Sequence, residues 1–207
     1  MIRKILLICG ILSSLLYVTM NIFIAMQWKG YSSVSQTVSE LSAIGAPTRS
    51  AWIPWGVIYT LLFIAFGFGV WTSAHQNCYL RILAGLIITY GIISLAWPFA
   101  PMHLRGAEFT FTDTMHITLA MVTIVLMFLA IGFGAKAFGK PFRIYSIASL
   151  IIFLVFGALT GMNASRIAKN LPTPWVGVWE RINIGAFLLW IIVLAIILLR
   201  AGSSPGK

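Results

Sequence analysis

Charge is scarce in this chain. Only 9% of the 207 residues are charged, and four acids stand against fourteen lysines and arginines. An ordinary water-soluble domain carries charge at roughly a quarter of its positions, so composition excludes that class. Cysteine is equally rare, with Cys9 and Cys78 the only two. They form no Cys-x-x-Cys redox or zinc motif, and their placement in a first span and at a turn gives no expected disulfide. The HExxH helix of zinc hydrolases is absent. The centres of the apolar runs hold almost no ionisable residue, which counts against an ion-coupled carrier. The net charge of +10 comes with no folded basic module, so no nucleic-acid partner is expected.

What the chain does have is hydrocarbon. Hydrophobic residues make up 60% of it, with a mean hydropathy of +0.97. Six mostly apolar runs are each long enough to cross ~30 Å of bilayer core at ~1.5 Å per residue. They are expected near Ile5–Gln27, Ala51–Ser73, Tyr79–Ala100, Asp113–Ala135, Ile144–Met162 and Trp175–Leu199. The expected fold is all-α, a six-transmembrane-helix bundle forming one domain over 1–200 with a short tail over 201–207. Arg3 and Lys4 before the first run favour an uncleaved helix with a cytoplasmic N-terminus, which puts both termini in the cytoplasm.

By that topology the inner loops and ends hold eight basic residues, Lys207 among them, and the outer loops hold six. Glu40, Glu108, Asp113 and Glu180 all fall on the outer side, leaving the inner face purely cationic. Trp28, Trp52, Trp55, Trp97, Trp175 and Trp179 sit near outer span ends, where indole rings anchor at headgroup level. Gly157 and Gly161 form a GxxxG in span five, and IAFGFGVW and LAIGFGAK in spans two and four hint at an internal repeat. Pro54 is expected in the first turn of span two, and Pro98 and Pro101 at the end of span three.

The polar residues collect in three outer segments: YSSVSQTVSELSAIGAPTRS, WPFAPMHLRGAEFTFTDTMH and NLPTPWVGVWERIN. Together they offer one interfacial pocket. Asp113 and His116 are three apart and face one side of the first turn of span four. In one reading His103, His116 and Asp113 bind zinc or another divalent metal. Glu108, Asp113 or Glu180 then activates water against a lipid ester or phosphoester. In the other, no bond is broken: Arg105 and Arg181, with Ser39 and Glu40, hold a lipid or lipid-like molecule, and Arg166 is a further phosphate ligand. Glu40 with Arg181, or Glu180 with Arg105, are the expected ion pairs. Plainer roles stand beside these: Asp113 as a helix cap, His116 as a hydrogen bond between helices, and Glu180 against the helix dipole.

The segments YSSVSQTVSELSAIGAPTR, WPFAPMHLRG with DTMH, and WERIN resemble the prokaryotic membrane family catalogued as domain of unknown function 998. The resemblance runs from the first span through the sixth. It implies a six-helix protein in the cytoplasmic membrane of a bacterium or archaeon, and no activity. The segment after span one is more faintly similar to the DRAM and FRAG-type membrane proteins, which implies lipid handling. Membrane lipid is therefore the expected partner.

Overall fold

The computed structural model describes residues 1–201. The expected tail beyond Ala201, with Lys207, lies outside the described residues. The described chain is helical, and six helices are long and apolar enough to cross a membrane. These are α1 (Ile2–Met26), α2 (Arg49–Ser73), α3 (Cys78–Ser94), α4 (Phe111–Ala137), α5 (Lys140–Gly161) and α7 (Val176–Ala201). A short α6 (Ala164–Ala168) and two 3-10 turns, Ser39–Ser42 and Trp97–Phe99, lie in the connections.

The ends of the helices follow local chemistry. The α2 helix begins earlier than its hydropathy suggests, so Pro54 falls inside it rather than in the first turn. The missing proline N–H leaves the carbonyl one turn back without its helical donor. The α3 helix stops at Ser94 and tightens into the 3-10 turn that contains Pro98, so the third span runs Cys78–Phe99, close to the expected Tyr79–Ala100. The α5 helix starts at Lys140 instead of Ile144, because Gly139 caps it and Pro141 suits a first helical turn.

The six long helices form a ring in the order α1, α2, α3, α4, α5, α7, with α7 returning to α1. Leu7, Phe63, Phe66, Phe153, Phe187 and Trp190 are fully buried inside it. The Trp190 indole N–H donates to Ser146 Oγ at 2.9 Å, which satisfies the one polar atom of that ring. Arg3 ties the chain ends together: its Nη1 reaches Ser73 Oγ and the Leu198 carbonyl, both at 3.2 Å. The three polar segments therefore occupy the opposite, loop-rich end of the bundle.

The paired glycines of the suspected repeat have unlike surroundings at one pair and like surroundings at the other. At the first pair a Cβ on Gly67 would lie 2.7 Å from Ile88 and one on Gly132 would meet open space, whereas at the second both Gly69, against the Leu6 and Leu7 backbone, and Gly134, against Trp190, are tightly packed. Gly69 thus permits the close approach of α1 to α2. Gly157 and Gly161 both line a cavity, and Gly157 also faces α7, where a Cβ would lie 2.9 Å from Asn183 Nδ2, while Gly161 meets open space.

Candidate functional site

The loop-rich end is built around Arg105. Its Nε donates to Glu40 Oε1 at 2.6 Å and its Nη2 to Glu40 Oε2 at 2.9 Å. The same guanidinium reaches the Ser35 carbonyl at 2.8 Å and Thr173 Oγ1 at 2.6 Å. One side chain thereby joins the segments after α1, α3 and α6. A backbone bond from Ile44 N–H to the Met102 carbonyl, 2.8 Å, adds a second tie between the first two. Glu40 is 0% exposed, and its oxygens also accept from Thr37 N–H, Thr37 Oγ1 and Gln36 Nε2. Burial by itself would raise the Glu40 carboxyl. The bonds from Arg105 and Thr37 and the guanidinium charge outweigh it and hold the group below the usual carboxylate range.

This pairing differs from both expected ones, Glu40 with Arg181 and Glu180 with Arg105. It also uses Glu40 and Arg105 as a buried clamp rather than as groups that face a ligand. Arg181 lies elsewhere, along a groove of about 510 Å³ between α1 and α7. Its guanidinium bonds Asn21 Oδ1 at 3.2 Å, the Tyr31 hydroxyl at 2.8 Å and the carbonyls of Ser33, Gln36 and Gly177. Burial pushes the Tyr31 hydroxyl up to about 12 despite the adjacent cation. It stays protonated at neutral pH and donates to the Thr37 carbonyl at 2.7 Å. Arg166 reaches only the Pro172 carbonyl, at 2.9 and 3.0 Å, within its own exposed loop.

The expected metal ligands do not converge. Asp113 Oδ1 accepts from the His103 N–H at 2.7 Å, and Oδ2 meets His103 Nδ1 at 2.8 Å. Asp113 Oδ2 also accepts from the Thr110 N–H at 2.9 Å, so the carboxylate closes the first turn of α4 as the third residue after the cap. His116 turns away to the Ala100 carbonyl, 2.9 Å from its Nδ1, and packs edge-on against Trp97. Glu108 is exposed and in no ion pair among the described residues. No group of three histidines, cysteines or acids able to hold a metal ion occurs among the described residues. Asp113 bonds His103 and Thr110 while His116 bonds Ala100, so the expected His103–His116–Asp113 set is not gathered at one point among the described residues.

What the loop-rich half does contain is a cavity of about 420 Å³ inside the helix ring. Along α4 its wall runs from His116 to Met127, and along α2 from Arg49 to Thr60. Each stretch covers about 16 Å, roughly half a bilayer core. Most of the wall is apolar, and its charged groups sit at the loop end. There Glu180, half-buried, accepts a short hydrogen bond from the Val38 N–H and meets Ser39 Oγ at 3.4 Å. Arg49 donates to the Ser42 carbonyl at 2.6 Å and the Pro98 carbonyl at 3.1 Å. Neither Glu180 nor Arg49 joins an ion pair among the described residues. His116 also lines this end. A carbonyl only accepts, so His116 Nδ1 carries the proton toward Ala100, and the neutral ring presents Nε2 as an acceptor.

The α4 wall of the cavity is poorly covered. Ile117, Met121 and Ile124 of α4 line it and yet are 52%, 57% and 37% exposed. On α5 no residue beyond Phe153 is buried. The α5–α7 side is bridged by Asn183, whose Nδ2 donates to the Phe153 carbonyl at 2.5 Å. The least covered wall is therefore that of α4.

Of the expected site residues, Ser39, Glu180 and His116 reach this cavity. Arg49, Trp52 and Trp97 belong to it and were not expected. Arg49 had one signal in the sequence. A cation at the first residue of a helix opposes the positive end of the macrodipole, and such a position calls for a compensating interaction.

Comparison with curated proteins and with solved structures finds no match. Residues 11–197 match the family described as protein of unknown function DUF998, and the chain belongs to that family.

Proposed function

We propose that this membrane protein binds an amphiphile, a lipid or lipid-like molecule, with its chain in the apolar cavity and its headgroup at the Ser39–Arg49–Glu180 end. The observation that carries the reading is the cavity's polarity gradient together with its exposed α4 wall. An apolar pocket with a few convergent polar groups is the usual form of a ligand site. A wall exposed at the depth of the hydrocarbon admits a chain without taking it through water. The reading is noncatalytic, because His103 and Asp113 satisfy each other and a metal-assisted hydrolysis lacks its ligand set. The confinement of all four acids to the loop-rich end, which leaves the other end purely cationic, favours an outer-leaflet source.

The test is a titration of the purified protein with a lysophospholipid carrying a brominated chain. Trp52 and Trp97 line the cavity, so binding quenches tryptophan emission to saturation. Ala120→Phe, which fills the wall of α4, abolishes the saturable part while the protein stays folded. Absence of saturable quenching in the unmodified protein overturns the reading.

A further inference from the structure

We infer that the polar end of the cavity takes a zwitterionic headgroup, with an anionic group against Arg49 and a cationic group against Glu180. The inference rests on the amphiphile reading above and adds the class of headgroup.

Two opposite charges line one cavity and do not pair with each other. Each is held by its own end of the 3-10 turn Ser39–Ser42. Glu180 is fastened to Val38 N–H and Ser39 Oγ, and Arg49 to the Ser42 carbonyl. The anchors lie three residues apart along the turn, about 6 Å at the 3-10 rise, and Glu180 and Arg49 form no ion pair among the described residues. The turn is itself braced by Ser42 Oγ on the Ser39 carbonyl at 3.1 Å and by the buried Glu40–Arg105 clamp.

Unpaired charges in a mainly apolar cavity are costly unless something compensates them. The neighbouring Arg181 acts on Glu180 through its field and makes no hydrogen bond to the carboxylate, because its guanidinium bonds Asn21, Tyr31 and the carbonyls of Ser33, Gln36 and Gly177. Arg49 has used two of its five N–H donors on the carbonyls of Ser42 and Pro98, leaving the rest for an anion. Glu180 retains acceptor capacity beyond the Val38 and Ser39 bonds. The remaining polar groups at this end, the hydroxyls of Ser39 and Ser42 and the neutral His116 ring, carry no charge to offset either. A ligand with both signs, set apart by a short linker as in an aminoalkyl phosphate, pairs both at once. A ligand with one sign leaves the other protein charge stranded.

The full-length protein is titrated with lysophosphatidylethanolamine, with lysophosphatidylglycerol of the same chain, and with chainless phosphoethanolamine. The zwitterionic lysolipid binds about tenfold or more tightly than the anionic one. Glu180→Gln removes that preference and leaves the anionic lysolipid's affinity intact, whereas Arg49→Gln weakens both. Thermal midpoints confirm folding, and Arg49→Lys keeps the charge if Arg49→Gln does not fold. Equal affinity for the two lysolipids, or equal weakening of both by Glu180→Gln, overturns the headgroup inference while leaving the cavity reading in place. No saturable binding of either lysolipid overturns the cavity reading itself. Chainless phosphoethanolamine binding as tightly as its lysolipid overturns a membrane source for the ligand.

Discussion

Arg105 and Glu40 meet fork to fork, two parallel bonds of 2.6 and 2.9 Å across 65 residues of chain, with the carboxylate wholly out of solvent. Removing one partner of a buried pair strands the other, at a cost of about 3–5 kcal/mol. Arg105→Gln is therefore expected to lower the thermal midpoint of the detergent-solubilised protein sharply. Arg105→Lys restores only part, because an ammonium lacks the planar fork that also reaches Ser35 and Thr173. A thermal scan of the three proteins checks the order; identical midpoints would remove the clamp from the stability of the loops.

The same pair sets an acid limit. Glu40 is held below its unfolded value, near 4.3 for a free glutamate side chain at about room temperature. Its stabilisation is present above that value and is lost as pH falls through the lower, folded value. Midpoints measured from pH 6 downward should fall below about pH 4 in the unmodified protein. In Glu40→Gln the midpoint is lower throughout and shows less of that acid decline. An equal decline in both proteins would assign the acid sensitivity to another group.

Gly177 lies where the segment after α1 crosses the start of α7. Its N–H donates to the Val34 carbonyl at 3.0 Å, and a Cβ there would collide with the carbonyl oxygens of Ser33 and Gln36. Gly177→Ala should cost about 1–3 kcal/mol by overpacking. Gly132→Ala, with open space around the new methyl group, should be neutral or stabilising by up to about 1 kcal/mol through helix propensity. Chemical or thermal unfolding of the two variants side by side decides this, and a Gly177→Ala protein as stable as Gly132→Ala would contradict it.

His103 and Asp113 bond each other and His116 bonds Ala100, so elemental analysis of protein prepared without chelator should find only substoichiometric zinc. Added chelator should leave the thermal midpoint where it was. Stoichiometric zinc that disappears in His116→Ala would restore the metal reading.

The six spans were legible because length and hydropathy suffice for them; a run such as that of α7 admits no other solvent. The helix ends were less so, since Pro54, Pro98 and Pro141 act through single backbone bonds that hydropathy does not register. At the loop-rich end the residue types were legible and their partners were not. Asp113 and His116 do share the start of α4, yet nothing along the chain says that His103 will take the aspartate's lone pairs. Likewise four acids and several arginines allow many pairings, and only the approach of three distant segments selects Glu40 for Arg105. Arg49 was hidden by serving equally well as a topology charge.

The ring order has a consequence for how the protein is made. Spans emerge in sequence, and α7, the last of the described chain, is the one that seals α1 to α5. Until it is in place, Asn21 lacks the bond from Arg181 and Ser146 the bond from Trp190, so two polar side chains of earlier helices find these partners only in the last described span.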